Sequence, residues 1–140
     1  MSFREKSAWI TLITLFVLTI LFFLHFPQPW QVSRPDQFMF HVTLLMIATF
    51  IGVEIIAHII IAIRSPRDAR TPKDERERLI ELKSVAVAFY VYVIASLGSV
   101  FVTLHLGANQ FSIGYLLLLS FVLAEIVNYA LRVIHYQRGR

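Results

Sequence analysis

Four continuous apolar runs, at residues 8–26, 38–63, 84–106 and 111–134, constrain this chain more than any motif in it. Each is long enough to cross a hydrocarbon core of about 30 Å as an α-helix rising about 1.5 Å per residue. None alternates polar with apolar residues, so membrane strands are excluded. A soluble core has no room for a chain of 140 residues that is 57% hydrophobic and 16% charged. The expected fold is all-α: one polytopic membrane domain, residues 1–140, with four transmembrane helices in contact with the lipid bilayer. Arg4 and Lys6 precede the first run, as in a signal peptide. The run is longer than an ordinary signal core, and PQPWQ follows where a small-residue cleavage site belongs, so we read a retained span.

Charge placement orients the bundle. Of thirteen Lys and Arg residues, Arg34 alone falls in the first loop and the last loop, GANQ, has none. Arg64, Arg67, Arg70, Lys73, Arg76, Arg78 and Lys83 crowd in and beside the middle loop, and Arg132, Arg138 and Arg140 close the chain. Basic residues stay on the cytoplasmic side, so both termini and the middle loop are expected there, as in a bacterial inner-membrane protein. The net charge of +4 is explained by anionic headgroups, and no motif calls for nucleic acid.

The segment SPRDARTPKDERERLIELKS is the one long polar stretch. Thr71 as cap, Pro72 at the first helical position and Asp74 reaching back predict a helix start near Pro72. The third helix then extends from the cytoplasm, through a stalk at residues 64–83, into the membrane. Asp74/Arg78 and Arg78/Glu81 have the spacing of intrahelical ion pairs. Ser84, Ala88, Ala95 and Ser99 form a small-residue seam suited to close helix packing.

Within the spans, the polar residues carry the functional information. Glu54 and His58 lie one helical turn apart in FIGVEIIAHIIIAI. A charge at the centre of a span costs about 2.5–3.5 kcal/mol on insertion scales, against about 0.3–0.6 kcal/mol returned per Leu, Ile, Phe or Val. Glu54 lies about 13 Å from the end of its span at Ile63, and Glu125 lies equally far from Ile134. The two acids are therefore expected at one depth, facing inward toward each other. Glu125, Asn128, Arg132 and His135 share an arc of about 80° on the fourth helix. The expected proton- or cation-exchanging site is Glu54, His58, Glu125 and Asn128, with Glu81, Arg132 and His135 leading to the cytoplasm. The same residues also serve as interhelical hydrogen-bond glue in a second reading.

His25, His41 and His105 gather near the outer rim, where a metal or haem iron is a further reading. The chain has no cysteine, and no CxxCH, HExxH, phosphate loop or nucleophile–base set. We therefore expect a non-enzymatic protein without a cofactor. Four spans enclose little volume, so a homo-oligomer is expected. A different class of function is an accessory or regulatory subunit that docks a cytoplasmic or membrane protein through residues 67–81.

DERERLIELKS, AFYVYV, LAEIV and YQRG resemble a family of small bacterial inner-membrane proteins known as a domain of unknown function. The matching positions are Asp74, Glu75, Arg76, Ile80, Glu81, Tyr90, Ala124, Glu125, Val127, Tyr136, Arg138 and Gly139. The resemblance covers the C-terminal half, leaving Glu54 and His58 outside it. It implies four helices and a cytoplasmic C-terminus, and no activity.

Overall fold

A computed structural model describes residues 3–25, 37–64, 66, 72–106 and 110–138. They form four α-helices: α1 (Phe3–His25), α2 (Gln37–Arg64), α3 (Glu75–Leu106) and α4 (Gln110–Arg138). All four are long and apolar enough to span a membrane. Large side chains such as Phe16, Leu45, Ile63, Phe101 and Leu104 stand exposed along them. Apolar surface on this scale suits lipid surroundings rather than water.

The start of α3 lies slightly beyond the position that the sequence suggests. Pro72, Lys73 and Asp74 are non-helical, and the helix opens at Glu75. Asp74 does the capping: its Oδ1 accepts the Glu75 N–H at 2.8 Å, and its carbonyl accepts the Arg78 N–H at 3.0 Å. Glu77 reaches back to accept the Asp74 N–H at 3.2 Å. This reciprocal arrangement satisfies donors that the first turn otherwise leaves open, which is why Asp74 fixes the boundary. Thr71 lies outside the described residues. The resulting helix has 32 residues, about 48 Å at the standard rise, and so exceeds the bilayer core.

The helices pack in the lateral order α2–α1–α4–α3, with α1 against both α2 and α4, and α4 against α3. The α3–α4 seam is the closest, because its residues are small. Ser84, Ala88 and Ser99 of α3 and Ser120, Ala124 and Asn128 of α4 are all buried. The Ser99 and Ser120 hydroxyls meet at 3.0 Å, and Tyr92 packs edge-on against Phe121. Thr19, Thr49, Ser96 and Thr103 return their hydroxyls to carbonyls of their own helices, which lets a polar side chain sit in an apolar span. Among the residues of α2 whose burial is described only Ile61 is buried, so α2 is attached along one narrow face.

Candidate functional site

Glu54 and His58 both turn toward α1. Thr11 donates its hydroxyl to Glu54 Oε2 at 2.7 Å, and Ser7 Oγ lies 2.7 Å from His58 Nε2. Moving one turn up α1, from Ser7 to Thr11, moves one turn back along α2, from His58 to Glu54. This crossed pairing is what antiparallel neighbouring helices require.

The hydrogen-bond partners fix the His58 tautomer. Nδ1 lies 2.8 Å from the Glu54 main-chain carbonyl, which can only accept, so Nδ1 carries a hydrogen. A neutral ring then accepts the Ser7 hydroxyl at Nε2. A protonated ring instead donates from Nε2 to Ser7 Oγ, and the hydroxyl only has to rotate. His58 can thus gain or lose a proton without breaking either contact. Its Nδ1 also lies 3.4 Å from Glu54 Oε2.

The other carboxylate oxygen, Glu54 Oε1, is buried and has no hydrogen-bond partner among the described residues. An unsatisfied polar atom in a dry setting costs of order 1–3 kcal/mol, and more when charged. Such an atom is expected where a proton or a ligand completes the shell.

Glu125 has a different environment. Asn128 Nδ2 donates to Glu125 Oε2 at 3.2 Å, and Arg132 Nε donates to Asn128 Oδ1 at 3.1 Å. Arg132 Nη1 continues to Glu81 Oε1 on α3 at 3.4 Å, while Lys73 bonds the other Glu81 oxygen. A continuous polar chain therefore descends from Glu125 to the polar end of the bundle. The Arg132 guanidinium also covers the Tyr129 ring, 4.9 Å from its centroid. Glu81 lies in the polar turns ahead of the apolar run. The Lys73 hydrogen bond, aided by the charges of Arg132, Lys73 and Arg4, holds its carboxyl below the ordinary value of 4.5 against an opposing desolvation.

The two acids share a level on α2 and α4, both of which pack against α1. Phe22 stacks on Tyr115 with centroids 5.5 Å apart, and this anchors the antiparallel register of α1 and α4. Counting eleven residues back from Phe22 reaches Thr11, and eleven onward from Tyr115 reaches Ile126, beside Glu125. Thr11 holds Glu54, so Glu54 and Glu125 lie level to within about a turn. They do not bond each other. Instead Tyr129 lies within electrostatic range of both.

No family model, curated protein or solved structure matches this chain.

The remaining sequence-predicted residues are dispersed. His135 Nδ1 donates to the Leu131 carbonyl at 2.7 Å, rather than joining the Glu125 chain. His41 and His105 are exposed, with His105 stacked on Phe101 at 6.0 Å, and the His25 side chain lies outside the described residues. No group of three or more His, Cys, Asp or Glu side chains is placed to hold a metal among the described residues. Among the described residues Glu77 pairs with Arg4 of α1, and Glu81 with Lys73 and Arg132, in place of the Arg78 pairs that the spacing suggests. The first helix thus contributes Arg4, Ser7 and Thr11, none of which the apolar pattern singled out. A signal was present: Ser7 and Thr11 have the same four-residue spacing as Glu54 and His58.

Proposed function

We propose that this chain is a small multi-pass protein of the bacterial inner membrane, with both termini cytoplasmic, that couples proton or cation exchange at Glu54 to movement across the bilayer. The observation that carries this reading is the buried, unpartnered Glu54 Oε1, one turn from a histidine whose contacts tolerate either protonation state. The two acids have separate roles. Glu125 is held by Asn128, which is itself held by the Arg132 guanidinium, so it belongs to a fixed hydrogen-bonded chain. The cation beside Glu54 is His58, charged only when protonated, so the proposed exchange is between these two groups. His58 receives or returns the proton, and Asn128 holds Glu125 in place. Glu81 and Arg132 form the cytoplasmic mouth. An assembly of several copies would provide the path that one protomer is too thin to enclose.

The test is passive and cation-driven proton flux in liposomes containing the purified protein. Glu54→Gln should abolish it, Glu125→Gln should weaken it, and both variants should keep wild-type helicity. Flux equal to wild type in folded Glu54→Gln would remove the reading.

A second class of function draws support from Leu79 and Leu82, exposed among charged residues of the α3 extension. An accessory subunit would dock its partner there. Replacing both leucines with Ser would then release a co-purifying protein, and the Glu54 variant would behave as wild type.

A further inference from the structure

The outer face of α3 carries a stripe of large side chains turned away from the seam with α4. Leu79, Leu82, Tyr90, Leu97, Phe101 and Leu104 fall within an arc of about 100° around that helix. All six are more than half exposed. Leu79 and Leu104 are about seven turns apart and nearly in line, so the face runs the length of the helix. The buried Ser84, Ala88 and Ser99 lie on the opposite side. Among the described residues α4 is the helix that packs extensively on α3, and it packs on that opposite side.

Lipid tails suit most of this face, but two of its features call for protein. Tyr90 lies seven residues beyond Lys83, about 10 Å toward the membrane centre. Its contact among the described residues is an edge-on one between its ring and Phe89, which leaves the hydroxyl without a partner. Hydrocarbon neither donates nor accepts a hydrogen bond, so a hydroxyl left facing it is disfavoured. Leu79 and Leu82 continue the stripe past Lys83, into turns that carry Glu75, Arg76, Glu77, Arg78 and Glu81. Lipid tails do not cover those turns, and water disfavours both leucines.

We infer that this face of α3 is a two-fold interface with a second copy of the chain, the two α3 helices lying parallel and side by side. The inference names a surface for the assembly of copies proposed above, and it stands apart from the exchange at Glu54. A two-fold axis along the membrane normal sets identical residues of both copies at one depth, as an isologous contact requires. A hydroxyl suits such an axis because it both donates and accepts, so Tyr90 bonds the partner's Tyr90. Leu79 and Leu82 of the two copies then cover each other where lipid tails do not. Glu75 and Arg78 line a groove with these leucines, so the groove is self-complementary in charge. Across the axis each copy's acid lies within a turn of the other copy's base.

The chain has no cysteine, so single substitutions report on the face directly. The full chain carrying Leu97→Cys is reconstituted in liposomes and oxidised, beside Val102→Cys, which is exposed about 140° around the same helix. Leu97→Cys should give disulfide-linked dimers at ten times the yield of Val102→Cys or more, and the yield should hold when the lipid is raised tenfold. Tyr90→Phe keeps the ring and removes the hydroxyl. Measured by energy transfer between labelled copies, it should weaken the dimer about three- to fifteenfold, the range of one hydrogen bond between membrane helices. Replacing Leu79 and Leu82 together with Ser should weaken it at least tenfold, and every variant should keep wild-type helicity. Equal yields from the two cysteines would overturn the inference and leave the face to lipid, as would a Leu97→Cys yield that falls in step with dilution. An undiminished dimer in Tyr90→Phe would overturn it too. So would a monomeric chain whose paired leucine variant releases a co-purifying protein, a result that favours the accessory subunit. An intact dimer in Glu54→Gln is expected whether or not that variant loses proton flux.

Discussion

Thr11 and Glu54 form the contact on which the site's geometry depends, because the Thr11 hydroxyl is the short donor to Oε2, with His58 Nδ1 farther off at 3.4 Å. Side-chain hydrogen bonds between membrane helices average about 0.6 kcal/mol and reach about 1.7. A double-mutant cycle of Thr11→Val and Glu54→Gln, read by reversible unfolding in micelles, should give a coupling toward the upper end of that range. Strict additivity would mean that the two side chains act independently. Glu81 makes a prediction with a definite sign. Its folded-state pKa is depressed, so its contribution is present above the ordinary carboxylate pKa and is lost as pH falls through the lower folded value. Glu81→Gln should therefore lower the midpoint of thermal unfolding at neutral pH. The gap to wild type should close as pH is taken below 4.5. A gap that persists in acid would assign the effect to shape rather than charge. Not all of this was legible in the sequence. Glu54 and His58 stood out because lipid penalises them. Ser7 and Thr11 carry no such mark, because a hydroxyl can satisfy itself on its own helix, as Thr19 and Thr49 do.

At the level of elements, the four helices were readable because each apolar run matches the bilayer's thickness. Their junctions were less so. The α3 boundary at Asp74 depends on which of several capping residues wins, and the winner is the one whose Glu77 can bond back. Asp74→Ala should cost about 0.5–2 kcal/mol at that helix end. Amide exchange at Glu75–Arg78 should accelerate while Ser84–Ser99 stays protected; uniform acceleration would place the cap inside the global unfolding unit. The small-residue seam was also legible, since Ser84, Ala88 and Ser99 sit where close packing needs them and α4 answers with Ser120 and Ala124. The choice of neighbours was not. The α2 sequence is apolar around almost its whole circumference, so no stripe tells which helix it will meet. Only its Glu54 and His58, once matched to Thr11 and Ser7, point to α1.

For the whole molecule, the extensive packing among the described residues runs α2–α1–α4–α3. The helices bearing the two acids both pack on α1, and the acids have different partners: Thr11 for Glu54, Asn128 for Glu125. The chain contains no native cysteine, which makes that order directly testable. The pairs Ser7→Cys/His58→Cys and Ser99→Cys/Ser120→Cys should oxidise within one chain. A pair at Ile59 and Phe89, exposed residues on α2 and α3, should form no bond within a chain. An intrachain bond at that third pair would overturn the order α2–α1–α4–α3. The most direct test of the central claim, that Glu54 exchanges its charge and Glu125 does not, is infrared difference spectroscopy of the protein in bilayers on acidification. The wild type should show a protonated-carboxyl band that is lost in Glu54→Gln and kept in Glu125→Gln. Superimposable spectra from wild type and Glu54→Gln would contradict it.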